Sequence, residues 1–86
     1  MTKRQEYLAA ANEFAAALIR CYGPDPLLLQ LRAAIAHDSP IISRRFQHAM
    51  RTLNSTDQGP ADSPERVALI EAARAYYRAK AEATTE

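Results

Sequence analysis

The side chains that could do chemistry in this chain of 86 residues are few: one cysteine, Cys21, and two histidines, His37 and His48. Catalysis requires a nucleophile or base, a group that orients it and a donor that stabilises developing charge. No such set assembles from these residues and their neighbours. Cys21 falls near the end of a predicted helix, where free carbonyls raise a thiol pKa, so it reads as a small half-buried residue and not as a nucleophile. His37 closes the next helix beside Asp38 and reads as a positive complement to the helix dipole. His37 and His48 lie 11 positions apart on different predicted helices. Neither the i, i+4 nor the Cys-x-x-Cys spacing of a metal site occurs. The only glycines, Gly23 and Gly59, make no phosphate-cradling loop. The expectation is a protein that is not an enzyme and has neither cofactor nor resident metal.

A different chemistry is available around residues 39–56, which hold Arg44, Arg45 and Arg51 and no acidic residue. Arg44, Arg45, His48 and Arg51 are the candidate partner-binding set. Guanidinium groups pair with carboxylates in a fork geometry and are favoured at the energetic centres of protein interfaces. The same segment also offers Ser43, Arg44, Gln47 and Arg51 to bases and phosphates, as the second helix of a helix-turn-helix would. Asp38 opposes that second reading, because it would bring a negative charge to the phosphate backbone. A formal charge of +1 and a pI near 7.9 also lack the basic excess typical of phosphate-driven binding. Docking on an acidic protein surface is therefore the first expectation, and a small DNA- or RNA-binding regulator the alternative.

The elements that must carry these residues are helices. Asp or Ser stands before Pro at Asp25-Pro26, Ser39-Pro40 and Ser63-Pro64, each a helix start with a capping side chain and proline at the first helical position. Thr2 and Gln5 make a capping-box pattern, and Gly23-Pro24 stops the helix that follows. Helices are predicted over 3–22, 26–37, 40–53 and 64–83, in an all-α small four-helix bundle or orthogonal helical array. Val occurs once and no stretch alternates with period two, so nothing argues for strands. Tyr7, Leu8, Ala11, Phe14, Ala15, Leu18, Ile19 and Tyr22 share one face of the first helix. Leu27, Leu28, Leu31 and Ile35 do so in the second, and Ile42, Phe46, Ala49, Met50 and Leu53 in the third. The last helix spreads Val67, Leu69, Ile70, Ala73, Tyr76 and Tyr77 over a wider arc than one stripe needs.

Apolar residues outside the stripes suggest contact with another chain. Leu29 points away from its helix's stripe, and Leu69 and Tyr76 lie on an edge of the last helix. These three are the candidates for self-association or docking, including a homodimer. Tyr76 and Tyr77 are adjacent and cannot point the same way.

Composition bounds the rest. The length suits a single helical domain over 1–86, with a polar loop at 54–63 before the last helix. Of the 48% hydrophobic residues, many are among the 18 alanines, so the core rests on few large side chains. A lone cysteine gives no disulfide framework, and no run resembles a membrane span or signal-peptide core. A cytoplasmic protein with a protein partner and no membrane contact is expected, in the manner of a small regulator, adaptor or inhibitor.

Overall fold

The computed structural model describes residues 2–53 and 63–84. Of the polar loop expected at 54–63, all but Ser63 lies outside the described residues. Four helices account for the fold: α1 (Lys3–Tyr22), α2 (Pro26–Ala36), α3 (Ile42–Leu53) and α4 (Pro64–Thr84). No strand occurs among the described residues. The chain is all-α, as its periodicity and caps imply.

Helix boundaries follow side chains that satisfy free backbone groups. Thr2 Oγ1 accepts from the Gln5 N–H at 3.1 Å while Gln5 Oε1 accepts from the Thr2 N–H at 2.9 Å, a complete capping box. α1 ends at Gly23, whose N–H donates to the Ile19 carbonyl at 2.7 Å with φ at +86°. A Cβ at Gly23 would meet nothing within 4 Å, so the backbone conformation, not space, calls for glycine there. Asp25 Oδ1 caps α2 through the Leu27 N–H at 2.9 Å, and Ser63 Oγ caps α4 through the Arg66 N–H at 3.2 Å.

The turn between α2 and α3 departs from expectation. α2 stops at Ala36 with His37 as its C-cap, and α3 starts at Ile42 instead of residue 40. Asp38 adopts a left-handed φ of +49°, which reverses the chain. The Ser39 N–H then returns to the Ala34 carbonyl at 3.0 Å, and Ser39 Oγ accepts from the Ile41 N–H at 3.3 Å. Ser39 thus caps a turn through Pro40 and Ile41, and this leaves Ile41 outside the helix. Asp38 is also held from outside the turn: the Arg4 guanidinium of α1 forms an ion pair with it, its Nε 2.8 Å from Oδ1. Arg4 lies over the Tyr7 ring as well, 5.0 Å from the centroid. Both charges are about half exposed, so the pair positions the turn more than it stabilises the fold.

The packing order is α4 along α1, α2 against α1, and α3 against α2. At the centre Phe14 of α1 stacks on Phe46 of α3 with centroids 4.8 Å apart and planes 9° apart. Tyr76 of α4 closes this group, 4.4 Å from Phe46, 5.4 Å from Phe14 and 5.7 Å from Tyr7. Leu18, Leu28, Leu31 and Ile42 fill the space around the rings. Ala11, Ala15 and Ala17 are buried on α1, where small side chains permit close helix approach. Together these rings join three helices that are far apart in sequence. No described helix is long and apolar enough to cross a membrane.

Candidate functional site

α3 has the sharpest division of faces in the molecule. Ile42, Phe46, Ala49 and Leu53 are buried, and Arg44, Arg45, His48 and Arg51 are exposed. The inward stripe fixes the helix's rotation, so the basic side chains have no alternative but solvent. The structure brings three of the four together. Arg44, Arg45 and His48 line a depression of about 350 Å³ whose apolar part is Ile41. Arg51 stands about one turn further along the helix and does not line it.

A second depression of about 350 Å³ adjoins the first, sharing Ile41 and Arg45, and runs between α2 and α3 along Gln30, Ala33, Ala34 and His37. Arg45 reaches across it, with Nη1 3.4 Å from Gln30 Oε1, a long bond that leaves most of the guanidinium available. Among the described residues no carboxylate pairs with Arg44, Arg45, His48 or Arg51. Asp38, the acid nearest Arg44 and Arg45 in sequence, is engaged by Arg4. The result is a concave, partly apolar surface with basic edges.

Ile41 was not legible as part of this site. It was expected inside a helix beginning at residue 40 and instead lies in the turn before α3, exposed on the flank that carries Arg45 and His48. Leu29 is 50% exposed on α2, as expected from its position off the stripe.

Of the other two docking candidates, Tyr76 is corrected by its burial: it is 1% exposed, packed against Tyr7, Phe14 and Phe46, and leaves no surface for a second chain. Leu69 is 7% exposed and belongs to the same core, but it also lines a groove between α1, α3 and α4. The large apolar residues that α4 exposes are Val67, Ile70 and Tyr77 instead, with Tyr77 53% exposed. The two adjacent tyrosines do diverge, one into the core and one outward.

Of the residues with potential reactivity, Cys21 is half-buried and its thiol donates to the Glu65 carbonyl at 3.3 Å. Burial raises the thiol pKa, aided by the Glu65 carboxylate and opposed by Arg66 and Arg20. The direction matches that expected from the helix end, but desolvation is the leading cause. Alkylation of Cys21 by iodoacetamide at pH 8 is accordingly expected to run several-fold slower in the folded protein than in urea; equal rates would show that the fold does not protect the thiol. His37 caps α2 with its N–H on the Ala33 carbonyl at 3.1 Å. No group of three or more His, Cys, Asp or Glu able to hold a metal occurs among the described residues.

No protein-family model matches the sequence, and neither a curated protein nor a solved structure shows a significant similarity to it.

Proposed function

We propose that the chain is a noncatalytic protein-interaction module, a regulator, adaptor or inhibitor, that docks the basic surface of α3 on an acidic surface of a protein partner. The observation that carries this reading is the grouping of Arg44, Arg45 and His48 around the exposed Ile41, with none of the three paired to a carboxylate among the described residues. An apolar centre with Arg at its edge is the composition of a protein interface: the apolar contact supplies affinity, and the charges supply orientation and rate. Phosphate binding would use the same arginines but has no use for Ile41.

The test is affinity recovery from the native host with and without nuclease, followed by a salt titration of whatever is retained. A protein that remains bound after nuclease, with part of its affinity persisting at high salt through apolar contacts, supports the reading. Recovery that requires nucleic acid overturns it, as does log affinity falling with log salt at about 0.9 per neutralised phosphate.

A further inference from the structure

A second surface lies on the other flank of α3. Helical spacing of about 100° per residue puts Met50 on the side of the buried stripe opposite Ile41, Arg45 and His48. There a groove of about 230 Å³ runs between α1, α3 and α4, with Phe14, Tyr22, Met50, Ile70 and Tyr77 along it and Arg66 in its wall. Arg66 is the anomaly. Its Nη1 is buried and has no hydrogen-bond partner among the described residues. It also stands in the first turn of α4, where the positive end of the helix dipole disfavours a cation. Nη1 itself is buried beyond the reach of a docking oxygen, but Arg66 lines the groove and no carboxylate pairs with it among the described residues, so a carboxylate is the group that would match it there.

The shape of the groove indicates what would bring that carboxylate. Arg66, Ile70, Ala73 and Tyr77 follow one another at intervals of 4, 3 and 4 on α4, the spacing of a seam between two helices. Ile70 and Tyr77 are exposed large side chains, and Ala73 between them permits close approach. The groove is smaller than the roughly 300–1,000 Å³ typical of small-molecule sites, but it suits the side chains of one helix laid along it. A second copy of α4 fits poorly on charge. Side by side in parallel it sets Arg66 against Arg66, and antiparallel about Ala73 it sets Arg66 opposite Lys80. We propose that this groove receives an amphipathic helix of a partner protein, with apolar residues in seam positions and an Asp or Glu that pairs with Arg66. The proposal does not depend on the reading of the α3 basic surface.

The probe is a blocked alanine-based helical peptide of about 21 residues with leucines at seam positions and one Glu placed to meet Arg66, compared with its Gln counterpart. Binding to the full chain is measured by fluorescence anisotropy. The Glu peptide is expected to bind about tenfold more tightly than the Gln peptide. That preference should vanish in Arg66→Gln, both peptides should weaken in Ile70→Ser, and Arg44→Glu with Arg45→Glu should change neither. Arg66→Gln should keep the helical circular dichroism of the parent and melt no lower, since it breaks no ion pair among the described residues. Equal binding of the two peptides, a preference that survives Arg66→Gln, or one abolished by the α3 variants would overturn the proposal. So would a dimer in light scattering that Ile70→Ser dissolves, because a second copy would then be the occupant.

Discussion

Replacing Tyr76 with alanine is expected to cost about 3–5 kcal/mol, and replacing it with phenylalanine to add about 1 kcal/mol of stability. Tyr76 is the largest fully buried side chain and touches Tyr7, Phe14 and Phe46. Its loss opens a cavity where three helices meet. A domain of this size has a total stability of roughly 4–13 kcal/mol, so the alanine variant should lose a large share of it and unfold where the parent lies at the low end of that range. The phenylalanine variant keeps the ring and removes a defect. The Tyr76 hydroxyl is buried and forms no hydrogen bond among the described residues, although Tyr7 and Ser43 are its polar neighbours. Urea titration at pH 7 measures both effects; a phenylalanine variant less stable than the parent would mean that one of those hydroxyls does bond it.

The same residue makes a pH prediction. Burial holds the Tyr76 phenol well above its ordinary pKa of 10.0, with the Tyr7 hydroxyl adding to the effect. Above that value the unfolded chain releases this proton and the folded chain keeps it, so stability is complete below about pH 10 and falls as pH rises beyond it. Tyr22, whose pKa is also raised, contributes to the alkaline loss in the parent and in the variant alike. The advantage of Tyr76→Phe should therefore widen between pH 9 and 11. A constant difference across that range would place the Tyr76 hydroxyl in contact with water.

Much of this fold was legible because local signals and burial agree. Thr2, Asp25 and Ser63 cap the helices that follow them, and Gly23 ends α1, because each choice is decided within a few residues. The α3 stripe of Ile42, Phe46, Ala49 and Leu53 has a single solution, since nearly every other position on that helix is polar. The start of α3 was less legible. Ser39-Pro40 has the form of a helix start, and what moves the helix to Ile42 is the left-handed Asp38, fastened by Arg4 from a distant part of the chain.

α4 marks the limit of one-dimensional reading. Its apolar arc is broad, and Leu69 and Tyr76 are no more apolar than Ile70 and Tyr77. Which pair is buried depends on how α4 rolls on α1, and that follows from the fit of Tyr76 against the stacked Phe14 and Phe46. The same roll exposes Ile70 and Tyr77 and sets them with Arg66 and Ala73 along the groove. Their spacing was present in the sequence, along with a cation in a first turn, but the burial of the Arg66 nitrogen was not.

The second large expected effect concerns the basic surface. Arg44→Glu together with Arg45→Glu should weaken partner binding by at least about 100-fold, because two cations facing acidic groups become two repulsive anions. The fold should tolerate the change to within about 1 kcal/mol. Both side chains are exposed, and the one bond lost is the long contact from Arg45 to Gln30. Exchanging two acidic residues of the partner's contact surface for lysine should recover part of the loss, a rescue that only a direct charge contact permits. Ile41→Ser separates the two modes of attachment. It leaves every charge in place, so under protein docking affinity should fall about tenfold with no change in its salt dependence, since the loss is of buried apolar area. Phosphate binding would be nearly indifferent to it. If Ile41→Ser and the double reversal both leave binding intact, the α3 surface is simply solvated and the interaction lies elsewhere on the molecule.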